Sequence, residues 1–204
     1  MITPIFIFTI FMLTLGPIKT VPAFFVMTTG LDGKAATALA IRGAIAATAI
    51  ALLVALVMRG VAASWQVSVD DLRIAGGLLL FAASRDMIAQ FNRPGPPPGP
   101  PGQHPYVTPL AIPTIVTPWG VVAILVFMGI AAGDPALIAT IIGLLVLIMG
   151  LNLAGMLLAR QIIALVGLVT FQVVGWVFAV LQAGLAVDSV VVALRNLGLF
   201  RFGS

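Results

Sequence analysis

The chain has 204 residues, of which 61% are hydrophobic and only 8% are charged, with a formal net charge of +4. A soluble domain carries about 25% charged residues, so this composition excludes a water-covered globular surface. It predicts an all-α protein that crosses a membrane several times, because the apolar runs are long and continuous rather than alternating as in a membrane β-barrel. The basic residues stand singly, which excludes a phosphate-binding face for nucleic acid. The absence of cysteine excludes disulfides and thiolate metal sites.

Three apolar segments are predicted in residues 1–91. The first, at about 5–29, is interrupted in its middle by Gly16-Pro17 and by Pro22, because proline removes a backbone donor and crowds the preceding turn. The second runs unbroken over about 36–58, and the third covers about 72–88. The third contains Gly76-Gly77, a pair of small residues that favours close contact between helices.

A proline-dense stretch follows at 92–105. It cannot be helical and has nothing to bury, so it is predicted to be a linker between two halves, residues 1–91 and 106–204. A polyproline ligand for a partner domain is the alternative. The lone His104 lies here without a nearby carboxylate, which disfavours a metal or catalytic role.

The second half again begins with an interrupted helix. It covers about 106–130 and contains Pro109, Pro113 and Pro118-Trp119-Gly120. A fifth helix is predicted to end near residue 158. The apolar stretch at 161–194 exceeds the ~20 residues that one span needs. It is therefore predicted to be a short interfacial piece followed by a sixth helix at about 171–194.

Both halves thus start with a span that contains prolines and threonines. Three spans in each half would give the halves opposite orientations, as in an inverted-topology repeat. In secondary transporters, interrupted helices from inverted repeats build the solute site at the bilayer midplane. Freed backbone groups in hydrocarbon cost several kcal/mol unless a cavity or a polar solute satisfies them. The alternative is that the kinks only shape the bundle. The predicted solute-binding residues are those at the two interruptions: Gly16, Pro17, Lys19, Thr20, Pro22, Pro113, Thr114, Thr117, Pro118 and Gly120.

Lys19 is the unusual member of this set. A lysine at the centre of a span costs at least ~2.5–3.5 kcal/mol on insertion scales. Either its ammonium faces a cavity and attracts an anionic group, or the interruption is shallow and the side chain reaches the membrane interface. Asn152 and Gln182 are also polar residues inside spans, and we expect them to bridge helices. No phosphate loop, zinc-protease pattern or nucleophile elbow occurs in the chain. We therefore expect no enzymatic activity, no cofactor and no metal site.

Three segments resemble the MarC family of bacterial inner-membrane proteins, which are also described as small neutral amino-acid transporters related to the LysE exporter superfamily. Residues 16–25 are similar to the family's D/N-P-x-G-x-x-P-x-F. Residues 73–81, followed by Asp86-Met87, are similar to its third helix. Residues 109–118 are similar to its P-L-A-I-P…G-P signature. The resemblance covers residues 1 to about 200 and is looser after the fourth helix.

The chain departs from the family pattern at the predicted site itself. Gly16 stands where the family has Asp or Asn, Lys19 where it has glycine, and Thr117 where it has the glycine before proline. The resemblance implies a transporter of small neutral amino acids in a bacterial inner membrane, whose partners are lipid and a small solute and not nucleic acid. The departures leave a second hypothesis open: a non-transporting structural or accessory subunit of a larger membrane complex. Protein partners, on either hypothesis, would be further copies of this chain in a homo-oligomer or the members of such a complex.

Overall fold

A computed structural model describes residues 3–58, 60, 64, 66–92, 105–131 and 133–199. All regular structure in these ranges is helical, as predicted. The elements are α1 (Pro4–Leu15), α2 (Pro17–Met27), α3 (Gly33–Leu53) with a π-helical extension (Val54–Met58), α4 (Val69–Asn92), the π segment (Tyr106–Ile115), α5 (Pro118–Ile130), α6 (Pro135–Leu157), α7 (Ala159–Val166) and α8 (Leu168–Asn196). Residues 93–104 of the predicted linker lie outside the described ranges.

The first span is interrupted at Gly16, which has an extended backbone (φ −76°, ψ 171°) between α1 and α2. Pro17 enforces this conformation, because the ring of a proline disfavours helical geometry in the preceding residue. The prediction that Pro22 also interrupts the span is wrong, since Pro22 lies inside α2. Its fixed φ of about −65° lies in the helical range, so the helix continues through Pro22 although its nitrogen donates no hydrogen bond.

The predicted interruption of the fourth helix is confirmed. Thr108 and Ile112 have extended backbones inside the π segment, each before a proline joined by a cis peptide bond. The axis bends by 60° between the π segment and α5. Thr117, just before Pro118, is again extended (φ −91°, ψ 156°).

The predicted division of the last apolar stretch is also confirmed. The short helix α7 ends at Gly167, whose φ of +79° favours glycine, and the long helix α8 begins at the next residue. Whether α7 lies at a membrane interface stays a prediction.

Four helical stretches are long and apolar enough to cross a membrane, and the bent pair of the π segment and α5 makes a fifth. The predicted third helix exists as α4, which carries Asp70, Asp71, Arg73, Arg85 and Asp86 and is not among these stretches. The chain is therefore an all-α, multi-pass membrane protein, and the sixth span and the inverted repeat stay predictions.

Helices from the two halves pack closely against each other. Helix α4 lies along both α5 and α8, and its two glycines face them. A Cβ atom at Gly77 would lie 2.7 Å from the backbone oxygen of Ala186 on α8, and one at Gly76 would lie 2.3 Å from Val122 on α5. This confirms the predicted close contact. Helix α1 contacts α5 and α6, and its Ile7, Phe11 and Leu15 are fully buried. The interruption after α1 therefore lies in the protein core.

Candidate functional site

The C-terminal end of α1 is the centre of the candidate site. A helix leaves its last carbonyl groups without partners in the helix itself, and here the chain turns away at Gly16-Pro17. The carbonyl oxygens of Leu13, Thr14 and Leu15 each accept a hydrogen bond from a side chain instead. The four side chains that donate these bonds come from α2, from the start of α5, from α6 and from α8. The interruption is thus closed by groups from both halves of the chain.

Two groups converge on the Thr14 carbonyl. The Lys19 ammonium, from the first turn of α2, donates to it, and the Thr117 hydroxyl donates to it at 2.9 Å. The Lys19 ammonium also lies 3.4 Å from the Thr117 oxygen. The Lys19 side chain therefore turns back to α1 and α5, and the depth of this point in the membrane stays a prediction. It joins the end of α1 to the start of α5.

Asn152 and Gln182 satisfy the neighbouring carbonyls. The Asn152 amide nitrogen donates to the Leu15 carbonyl at 2.7 Å and to Ile148 on its own helix at 3.0 Å. The Gln182 amide nitrogen donates to the Leu13 carbonyl at 2.7 Å. Both side chains are buried. The expectation that they bridge helices is confirmed, and the structure adds that both bridges end on α1.

Thr117 uses its full hydrogen-bonding capacity. Its hydroxyl donates to Thr14 and accepts from the backbone amide of Gly120 at 3.2 Å and from Lys19, and a hydroxyl has one donor and two acceptor positions. The bond from Gly120 makes Thr117 the N-cap of α5. A Cβ atom at Gly120 would lie 2.2 Å from the Leu15 side chain, so glycine allows α5 to start directly against the end of α1.

Not every predicted residue reaches this junction. Thr20 is buried, and its hydroxyl lies 3.4 Å from the carbonyl oxygen of Gly16, four residues earlier. Thr114 donates to the Pro109 carbonyl within the π segment at 2.8 Å. Pro113 is exposed, and Pro22 lies farther along α2. The junction therefore comprises Gly16, Pro17, Lys19, Thr117, Pro118 and Gly120 of the predicted set.

A cavity of about 210 Å³ lies next to the junction, between α1, α4, α5 and α8. Its wall is mostly apolar and includes Thr14 and Trp119 beside the two interruptions. Its polar lining residues are Arg73, Asp188 and Ser189 in addition to Thr14. Arg73 is ion-paired with Asp70 at 2.8 Å, and the Ser189 hydroxyl donates to the Arg73 carbonyl at 3.0 Å. Lys19 and Thr117 are not among the lining residues.

Sequence reasoning missed Thr14, Trp119 and this charged part of the cavity. The signal for Thr14 was indirect: proline at position 17 implies free carbonyls one turn earlier, and these require donors. Asn152 and Gln182, as amides in long apolar helices, were visible as such donors. Their partners depended on how the helices pack.

The junction is built from the segments that carry the family resemblance. The family model for MarC family integral membrane proteins matches residues 2–197, nearly the whole chain. The chain belongs to the MarC family. Comparisons with curated proteins and with solved structures gave no match.

The three positions at which the resemblance implies departures from the MarC pattern lie at this junction. Lys19 and Thr117 contact one another. At Gly16 a Cβ atom would lie 2.1 Å from the Met12 carbonyl oxygen. A side chain would therefore not fit this backbone without a shift. In this MarC protein the three residues lie around the end of α1.

Proposed function

We propose that this MarC protein is a secondary transporter or exporter of small neutral amino acids, or of similar small polar solutes, in a bacterial inner membrane. The solute would pass through a midplane site at the two interrupted helices, and the proposal includes no enzymatic step. The main support for this proposal is that the two interruptions contact each other beside the cavity. Interrupted helices in transporters are tolerated where they line a cavity or are buried in protein.

The two helix ends at the junction have opposite polarity. The C-terminal end of α1 is the negative end of its dipole, and the N-terminal end of α5 is the positive end. A zwitterion complements both ends, because its ammonium is attracted to the negative end of α1 and its carboxylate to the positive end of α5. The cavity is smaller than the ~300–1,000 Å³ pockets that hold drug-sized ligands, which favours a small solute.

Flux through reconstituted protein tests this proposal. We expect proteoliposomes to take up or release labelled alanine, glycine or serine down an imposed gradient. Ala123 lines the cavity, so Ala123→Phe should abolish the flux by filling the cavity. Ala139→Phe adds the same side chain at an exposed position of α6 and should leave flux unchanged. The proposal fails if the wild type carries none of these solutes, or if both variants behave alike.

A non-transporting subunit of a larger membrane complex is the second candidate. It is supported by the end of α1, where Lys19, Thr117, Asn152 and Gln182 already occupy the three carbonyls. This candidate predicts stable co-purification with other membrane proteins in mild detergent, and no flux. A solitary or purely homo-oligomeric particle with amino-acid flux would exclude it.

A further inference from the structure

The Lys19 side chain places its terminal nitrogen at the negative end of a helix dipole. Its ammonium donates to the Thr14 carbonyl and lies 3.4 Å from the Thr117 oxygen. The ion pairs among the described residues join Arg73 to Asp70 and Arg85 to Asp86, and neither involves Lys19. Its charge is therefore balanced by neutral oxygen atoms and by the dipole of α1 rather than by a carboxylate.

Such an arrangement of neutral oxygens is what a small cation requires. Transporters with interrupted helices coordinate their coupling Na⁺ with carbonyls at half-helix C-terminal ends, and hard cations take carbonyl, hydroxyl and amide oxygens as ligands. Around Lys19 these are the Thr14 carbonyl and the Thr117 hydroxyl.

An unpaired buried oxygen also lies on α6, on the side chain that binds the adjoining carbonyl of α1. Among the buried side-chain atoms of the described residues, the Asn152 amide oxygen has no hydrogen-bond partner. Its own amide nitrogen contacts the Leu15 carbonyl, one residue after Thr14. A buried unsatisfied acceptor is uncommon and calls for a specific explanation such as an ion or water.

We propose that the Lys19 ammonium takes the place of a bound monovalent cation at the end of α1. The protein then needs no Na⁺ there, and shortening Lys19 leaves the Thr14 and Thr117 oxygens to a Na⁺ ion, towards which the unpaired Asn152 oxygen would turn as a further ligand. Thr14 and Thr117 can serve either cation, since their oxygens face the same point. The inference goes beyond transport and concerns which cation stabilises the junction, so it holds whether or not a solute moves.

Thermal unfolding in detergent tests the proposal. The wild type should melt at the same temperature in NaCl and in choline chloride of equal ionic strength. Lys19→Ala should melt at a lower temperature in choline, and Na⁺ should raise that temperature in a saturable way. At 100-fold excess over the Kd the rise should be roughly 5–10 °C for a chain of this length.

Lys34→Ala is the matched control, because Lys34 is the other lysine of the chain and is exposed at the start of α3. It should respond to the two salts as the wild type does. Lys19→Arg keeps the positive charge and should also melt alike in both salts.

Several outcomes overturn the proposal. One is a wild type whose melting temperature rises with Na⁺ over choline. Another is a Lys19→Ala protein that melts alike in both salts or folds in neither. A Na⁺ effect of equal size in Lys34→Ala would show a general salt effect and would also overturn it. None of these readouts uses flux, so the proposed transport function can fail independently.

Discussion

The two interruptions, one in each half of the chain, both release backbone groups from helical hydrogen bonds, but these groups find different partners. The first spans a single extended residue, Gly16, and α1 and α2 together still form one apolar stretch from Pro4 to Met27. Its free carbonyls are bound by side chains from distant elements. The second bends the axis by 60°, and much of its polarity is satisfied locally, by Thr114 within the π segment and by Thr117 as the N-cap of α5.

The difference shows which interruption depends on the rest of the fold. A bend whose backbone groups bond to neighbouring residues can form as soon as its own turn forms. An interruption whose carbonyls need Asn152 and Gln182 forms only when α6 and α8 are in place. Variants at the first interruption should therefore have larger effects on stability than variants at the second.

The largest effect is expected for Gly16→Ala. The added Cβ atom would lie 2.1 Å from the Met12 carbonyl oxygen, a backbone atom that cannot rotate away. We expect the free energy of unfolding to fall by about 2–3 kcal/mol, the upper part of the range for overpacked sites. Unfolding titrations in micelles measure it. Gly143→Ala, where the added atom meets nothing within 4 Å, should cost nothing, and equal losses would show that the tight turn at Gly16 is not required.

The second-largest loss of stability is expected for Asn152→Leu. It leaves the buried Leu15 carbonyl without its donor from α6, and an unsatisfied buried group costs about 1–3 kcal/mol. The control on the same helix is Thr140→Val, because the Thr140 hydroxyl donates to Ala136, which lies on its own helix. If the two variants unfold at the same denaturant concentration, the bridge from α6 does not stabilise the junction.

Thr117→Val should have a smaller effect, since α5 loses its N-cap and α1 loses one of two donors to Thr14. Loss of an N-cap costs typically about 1 kcal/mol. Thr117→Ser keeps the hydroxyl and should restore most of the stability in the same assay. A serine variant as unstable as the valine variant would point to the lost methyl group instead.

Thr114→Val should have the smallest effect. Its hydroxyl bonds to Pro109 within the π segment, and hydrogen bonds in membrane proteins average about 0.6 kcal/mol. The free energies of unfolding of Thr114→Val and Thr117→Val should be measured in the same titration and compared. A loss as large as that of Thr117→Val would show that the bond from Thr117 to Thr14, which joins α5 to α1, adds no stability.

The sequence by itself determined the membrane class, the positions of most helices and the places where two of them are interrupted. These follow from local physics: long apolar runs form spans, and Gly16-Pro17 and Pro118 force extended residues before them. Even here one local inference was wrong, because Pro22 lies within α2, where its fixed φ suits the helix.

Only the tertiary structure decided how the free carbonyls of α1 are satisfied. Lys19 and Thr117 are far apart in sequence, and the partners of Asn152 and Gln182 lie farther still, so their meeting depends on packing between the halves. Proline chemistry predicts that carbonyl groups are released, but it does not identify their donors. The packing of α1, α5, α6 and α8 does that, and it brings Lys19 and Thr117 together next to Gly16.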